Sequence, residues 1–256
     1  MAVKQTKKLN DSSVTDVTTV NSTDRILMKD ANGKLIPISL ANLKAAMSGG
    51  ISENAQVDGV FIMCHRKQDN IVLAYKPHKW AAQQAAGEIA DGVLVVEGGK
   101  MLVVAPTDEA MTWSSEAVSG GGTTTSDRLT ALNDWNGKQN TASQITKAAC
   151  SSNAYAPGYC ANYSRVNANG QGLTAGKWWL PSLGEMMMIY ANMTKINYAL
   201  SLISGATQLQ EAAYWTSTEY SAPYAWYLYL TGGSAGSRYT KASGTYRVRP
   251  VSAFIS

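Results

Sequence analysis

The sequence predicts an α+β fold in which short helices pack on antiparallel sheets, preceded by a small N-terminal segment of different character. Three observations carry this expectation. From about residue 56 the apolar runs are short, β-branched and bounded by Gly, Asp or Asn. Two later stretches combine a helix-start signal with apolar residues at i, i+3 and i+4 spacing. Near the C-terminus, AWYLYL (225–230) alternates with period two, as a half-buried strand does.

The first fifty residues open on a Ser/Thr/Asn/Asp/Val-rich stretch. DRILMKDANGKLIPISL then reads as a hairpin, with Asn32-Gly33 at the turn between two apolar runs. SLANLKAAM adds a helical turn or two before Gly49-Gly50. Such a piece has too little apolar surface to fold alone. It reads either as an attachment or oligomerisation segment or as a disordered tail.

From residue 56, GVFIMC, NIVLAY, GVLVV and KMLVV read as strands, the last two joined as a hairpin across Glu97-Gly98-Gly99. Thr141 and Gln144 stand at capping-box spacing and predict a helix beginning there, through Ala142, Ile145, Ala148 and Ala149. Ser182 and Glu185 repeat the device ahead of MMMIY, whose methionines read as a helix face packed on a sheet. KINYALSLISG places Ile196, Ala199, Leu200 and Ile203 on one face and stops at Gly205.

The last forty-odd residues alternate rigid and soft pieces. YWTSTEY, AWYLYL and TYRVRPVSAF are rigid, and SAPY and TGGSAGSRYTKASG are polar or Gly-rich and read as loops. The alternation puts Trp226, Leu228 and Leu230 on one face and Tyr227 and Tyr229 on the other. It likewise separates Tyr246, Val248 and Pro250 from Arg247 and Arg249. Singly, these tyrosines are ordinary strand residues. Tyr224, Tyr229, Arg238 and Tyr239, set among Ser, Gly and Thr, have the composition of contact surfaces that use rigid aromatic anchors.

A WLPS tetrapeptide (179–182), a helix, then YWTSTEY, AWYLYL and YRVRPV resemble the C-type-lectin-fold variable proteins diversified by retroelements, especially phage and prophage tail-fibre and adhesin proteins of gut Bacteroides-like bacteria. The resemblance covers residues 56–256, with a variable region at about 214–250. In that family a reverse transcriptase copies a template repeat with errors at adenines, so AAC codons become any codon of the form NNC. The positions that look variable are Ser221, Ala222, Pro223, Tyr224, Tyr229, Thr231, Ser234, Ala235, Ser237, Arg238, Tyr239, Thr240, Ala242, Ser243 and Thr245. Lys241, Trp215, Glu219 and Trp226 lie outside the NNC code; Lys241 is left out of the runs, and the other three sit where scaffold is expected. The family position matching Trp178-Trp179 is scaffold, so at least one of the two belongs in the core. The resemblance implies a C-type-lectin-like fold and a receptor-binding protein at a phage tail-fibre tip or a bacterial cell surface. In that reading Tyr224, Tyr229 and Tyr239 are anchors and Arg238 is a directional donor. The ligand is a bacterial surface protein or glycan, the N-terminal segment (1–50) meets other virion tail proteins, and the assembly is a homotrimer. A structural fibre protein and a degenerate enzyme like the formylglycine-generating enzymes are the alternatives.

Composition excludes much else. The net charge of +4 leaves the body after residue 50 nearly neutral, without the basic stripe of a nucleic-acid binder. No apolar run approaches the ~18 residues needed to span a bilayer. The polar start lacks the apolar centre of a secretory signal, so export by lysis is expected if the protein acts outside a cell. Cys64, Cys150 and Cys160 form no disulfide framework; Cys150 and Cys160 are bridged or, more commonly for such residues, free and buried. WNG (135–137) differs from the WND tripeptide of sugar-binding lectins. After Asp134 only Glu185, Glu211 and Glu219 remain as acids, too few for a calcium ion that takes about six to eight oxygens. No phosphate-loop, zinc or nucleophile-elbow motif occurs, GGG (120–122) reads as a flexible loop, and no cysteine follows Cys160. No cofactor, metal or catalysis is expected.

Overall fold

The computed structural model describes residues 58–254 and, nearer the N-terminus, the strands β1 (Arg25–Lys29) and β2 (Leu35–Ser39). The chain divides into two units, residues 1–49 and 50–256. In the first, β1 and β2 pair antiparallel from Arg25 opposite Ser39 to Lys29 opposite Leu35, which is the expected hairpin. The Asn32-Gly33 turn and the SLANLKAAM helix lie outside the described residues.

The second unit is α+β. Its strands are β3 (Gly59–His65), β4 (Val72–Tyr75), β5 (Gly92–Glu97), β6 (Lys100–Val104), β7 (Glu109–Met111), β8 (Arg165–Val166), β9 (Gly172–Leu173), β10 (Trp178–Trp179), β11 (Ala213–Glu219), β12 (Tyr224–Tyr229), β13 (Ser234–Thr240), β14 (Tyr246–Val248) and β15 (Val251–Ser252). The helices are α1 (Trp80–Ala85), α2 (Arg128–Leu132), α3 (Gly137–Gln144), α4 (Ala148–Ser151), α5 (Ala156–Asn162), α6 (Leu183–Ala191) and α7 (Met193–Ser201). One sheet runs β10-β15-β6-β5-β3-β4 and the other β13-β12-β11-β14-β7, with β8 and β9 as a separate pair. All pairings are antiparallel except β11 with β14.

β5 and β6 read as continuous apolar runs because both faces of their sheet are covered. Val93 and Val95 pack in the central core beside α6 and α7, while Leu94 and Val96 pack on the reverse face with Phe61 and Trp178. Glu97 pairs with Lys100, closing the expected hairpin with a turn of two residues, Gly98 and Gly99. Helices α6 and α7 lie between the sheets: Met186, Ile189, Ile196 and Leu200 share one cluster with Trp226 and Leu228 of β12. Met186 and Met188 are buried with them, and Trp178 and Trp179 are both core. A third cluster, with Trp113, Cys150, Cys160 and Trp215, sits under the opposite face of the second sheet. All three cysteines are free and buried.

The capping box of α6 forms as read: Ser182 Oγ accepts from Glu185 N, and Glu185 Oε2 accepts from Ser182 N at 2.8 Å. Burial pushes the Glu185 carboxyl up to about 7, against the pull of its hydrogen bonds to Ser182 and Trp179. Gly137, the last residue of WNG, leaves room for this carboxylate, which any Cβ there would overlap.

The second capping box does not form. α3 begins at Gly137, and Thr141 lies within it rather than ahead of it. Both side chains are spent on tertiary partners: Thr141 Oγ1 accepts from Leu180 N at 3.0 Å, and Gln144 Nε2 donates to Ser217 O at 2.7 Å. These bonds tie α3 to the WLPS segment and to β11. The chain then breaks before α4, leaving Ile145 36% exposed. Among the described residues no helix is long and apolar enough to cross a membrane.

Candidate ligand-binding surface

The expected contact residues fall on the outer half of the second sheet. β11 and β12 form a hairpin, and β13 adds to the free edge of β12 with Tyr224 opposite Thr240 and Tyr229 opposite Ser234. Residues 234–240 are therefore an edge strand and not the loop that their composition implied. Their own strand propensity is low, but the unpaired backbone groups along β12 supply hydrogen bonds, and strand formation depends on such neighbours. Between the Ala225–Tyr239 and Tyr227–Gly236 partners β13 advances three residues while β12 advances two, so β13 is bulged where Ser237 and Arg238 lie.

On this face the rings of Tyr227, Tyr229, Tyr239 and Tyr246 pack as one cluster, with Trp215 against Tyr227 and Tyr246. Tyr246 lies 4.7 Å from Tyr227, 4.8 Å from Tyr239 and 4.7 Å from Trp215, centroid to centroid. Tyr227 and Tyr229 meet edge to face at 5.4 Å. Tyr229 and Tyr239 are 41% and 45% exposed and form the outer layer, while Trp215 is fully buried. Two glycines seat the rings: a Cβ on Gly236 would overlap the Tyr227 ring, and one on Gly244 would overlap Tyr239. Burial, then the neighbouring phenols, raises the Tyr246 hydroxyl pKa well above the ordinary range, and burial likewise raises Tyr227.

The structure brings Tyr229 and Tyr239 together but not Tyr224, which shares the strand parity of Trp226 and takes part in none of these ring contacts. Ser221, Ala222 and Pro223 form the β11–β12 turn, and Thr231 lies in the β12–β13 turn, its hydroxyl donating to Glu211 O at 3.0 Å. Ser234 is exposed, whereas Ala235 and Thr240 are half-buried. Ala242 is half-buried, and Ser243 and Thr245 are exposed in the β13–β14 turn.

Two residues that the sequence reading did not pair hold this surface from beneath. Lys241 and Glu219 are fully buried, with Nζ 2.5 Å from Oε2. Lys241 Nζ also donates to the carbonyls of Val118 (3.0 Å), Ser221 (3.2 Å) and Ala222 (2.9 Å) and sits 4.5 Å from the Trp113 ring centroid. Burial pulls the Lys241 pKa down, and Glu219 opposes that pull. The Glu219 carboxylate accepts from Gly120 N (2.8 Å) and Gly122 N (2.9 Å), so GGG is a fixed cradle rather than a flexible loop. Beyond it, Glu219 N bonds Thr123 O and Thr125 N bonds Glu219 O. One buried ion pair thereby fastens the β11–β12 turn, the β13–β14 turn and the 118–125 loop together. The signal for it was available, since Glu219 and Lys241 are both residue types outside the NNC code.

Arg249 is likewise buried, donating to Ala105 O and Thr207 O at 3.0 Å each, and it flanks Asp108 with Arg247, the two guanidiniums lying 3.4 and 3.2 Å from Oδ2. Asp134 accepts from Thr218 Oγ1 at 2.7 Å and Asn140 Nδ2 at 2.9 Å. Of the three acids after Asp134, Glu185 and Glu219 are thus committed to protein donors and Glu211 is exposed, and among the described residues no three His, Cys, Asp or Glu side chains are grouped to hold a metal ion.

Among solved structures, a fimbrial protein from Bacteroides ovatus ATCC 8483 is similar at 15% identity and a TM-score of 0.42, over 92% of this chain and 49% of that one. The chain thus spans about half the length of that protein. No curated protein is detectably similar. A family model for the Lcl C-terminal domain matches residues 104–252, from the end of β6 to the end of β15, more than half of the chain and the whole of the aromatic face. The chain belongs to the Lcl C-terminal domain family.

Proposed function

We propose that this protein is a receptor-binding adhesin of the C-type-lectin-fold, retroelement-diversified type, carried on a phage tail fibre. It binds a bacterial surface protein or glycan through the face built on β12, β13 and their turns. Tyr229 and Tyr239 are the anchors, and the Ser, Thr and Ala positions around them form the adaptable surround. Residues 1–50 attach the protein to other tail components and join three copies. No catalytic step is involved.

One observation supports this reading above the others. Every described position in the set that looks variable is exposed or half-buried, while Trp215, Glu219, Trp226 and Lys241, the residues outside the NNC code, are buried. Lys241 is the sharpest case, because it interrupts the variable run and its side chain is fully buried. A surface under codon randomisation needs this separation, since random side chains at core positions would create cavities or overpacking.

Binding of fluorescently labelled protein to a panel of intact gut bacteria tests the reading. At least one strain should be labelled, and Tyr229→Ser with Tyr239→Ser should abolish the labelling without lowering the melting temperature by more than a few degrees. Full retention of binding by that double variant would remove the face from consideration. In the source genome, a near-copy of the gene's 3′ end differing at adenines, beside a reverse transcriptase, is the corresponding test of diversification.

A further inference from the structure

The seven tryptophans divide six to one. The indole N–H of Trp80, Trp113, Trp178, Trp179, Trp215 and Trp226 each donates to an acceptor within the protein. Among the described residues Trp135 has no such acceptor, and it is the exposed tryptophan, at 36%.

Trp135 is held in place nonetheless. The carboxylate of the preceding residue, Asp134, accepts from Thr218, Asn140 and the Asn136 N–H, and the Asp134 carbonyl accepts from Gly184 N at 3.1 Å and Ser182 Oγ at 2.7 Å. The ring lines a cleft of about 510 Å3 between the β5–β6 turn, α2 and α6, together with Glu97, Lys100, Leu132, Met187 and Met188. That volume lies within the range of about 300–1,000 Å3 typical of small-ligand sites. Nε1 lies beside Gly184, another lining residue, where a Cβ would stand 3.1 Å from it. Lys100 Nζ lies 5.1 Å from the ring centroid. Glu97 Oε2 accepts from Asn192 Nδ2 at 2.6 Å, and its second oxygen has no partner among the described residues.

We propose that this cleft binds a saccharide unit bearing an N-acetyl group. Lys100 and Glu97 oppose one another in sign, so the cleft favours neither anion nor cation but a neutral ligand that both donates and accepts hydrogen bonds. Sugar hydroxyls do both: they donate to the Glu97 carboxylate and accept from Lys100. The floor of Leu132, Met187 and Met188 is more apolar than a bare hexose requires, and an acetyl methyl fills it. The acetamido carbonyl then accepts from the Trp135 N–H. The cleft shares no residue with the aromatic face, so the inference stands whatever that face binds.

Full-length protein carrying 5-fluorotryptophan, titrated with chitotriose and with glucose as control, tests it by fluorine NMR. The Trp135 signal, assigned by its loss in Trp135→Phe, should shift saturably with chitotriose and not with glucose. Glu97→Gln, with an unchanged melting temperature, should weaken binding roughly tenfold, the effect of losing one charge-assisted hydrogen bond. A Trp135 signal that does not move at tens of millimolar chitotriose, or that responds equally to glucose, would overturn the assignment. Retention of saturable shifts at other tryptophans in Trp135→Phe would overturn it as well.

Discussion

Lys241→Met removes the cation that joins the turns beneath the aromatic face while keeping most of the side-chain volume. In the native protein the Glu219 carboxylate, at 0% exposure, has the lysine at 2.5 Å and two backbone N–H donors. Without the lysine a buried anion keeps its N–H bonds but loses its counter-charge, and the Val118, Ser221 and Ala222 carbonyls lose their shared donor. Breaking a buried pair in this one-sided way costs about 3–5 kcal/mol. For a domain of this size each kcal/mol moves the melting temperature by about 2–4 °C, so a fall of roughly 6–20 °C is expected. Pairing Lys241→Met with Glu219→Gln should restore much of the loss, because no unpaired charge then remains buried. Urea denaturation of the four proteins in a double-mutant cycle measures the coupling directly. Additive effects, or a single variant as stable as the native protein, would refute the view that this ion pair fastens the surface.

Three further outcomes follow from the same structure. Trp226→Ala opens a cavity between β12, α6 and the central core and should cost about 3–5 kcal/mol by chemical denaturation. Glu185 should make the protein less stable as pH rises: its folded pKa of about 7 lies above the ordinary carboxylate value, so the native state holds the extra proton and stability falls between about pH 4.5 and 7. Glu185→Gln, which keeps the capping-box geometry, should remove that slope, on the order of 3 kcal/mol across the window, and a native-like pH profile in the variant would contradict the assignment. Light scattering should give a mass of three times 27.4 kDa for the full chain and a weakened assembly after deletion of residues 1–50, whereas a monomer at micromolar concentration would exclude the trimer and the avidity it offers weak sites.

Features decided by local or nearest-neighbour physics could be read from the sequence. β5 and β6 announce themselves through unbroken β-branched runs on either side of two glycines, and α6 through a capping box that its own first turn completes. Trp226, Leu228 and Leu230 alternate against Tyr227 and Tyr229 because one face of β12 meets the core. Reading failed where a distant partner decides the outcome. Thr141 and Gln144 carry a helix-start spacing, yet Leu180 and Ser217, far along the chain, claim both side chains. β13 has almost no strand propensity and exists because β12 offers an edge. Lys241 sits in a soft, small-residue stretch, and only the folded chain brings Glu219 and Trp113 to it. The face separation between Tyr224 and the Tyr229–Tyr239 pair also needed the strand: proximity in sequence grouped all three, and strand parity divides them.

The central claim is that scaffold and contact surface occupy separate positions of one short segment. Surface display of libraries in which single codons across residues 214–250 are replaced by NNC, sorted for protease resistance, tests it most directly. Substitutions at Ser221, Ala222, Tyr229, Thr231, Ser234, Tyr239, Ser243 and Thr245 should survive sorting at close to their input frequency, and those at Trp215, Glu219, Trp226 and Lys241 should be depleted at least about tenfold, the loss that about 1.4 kcal/mol produces in a marginally stable domain. Equal depletion at the two sets of positions would contradict the separation on which the proposed function rests.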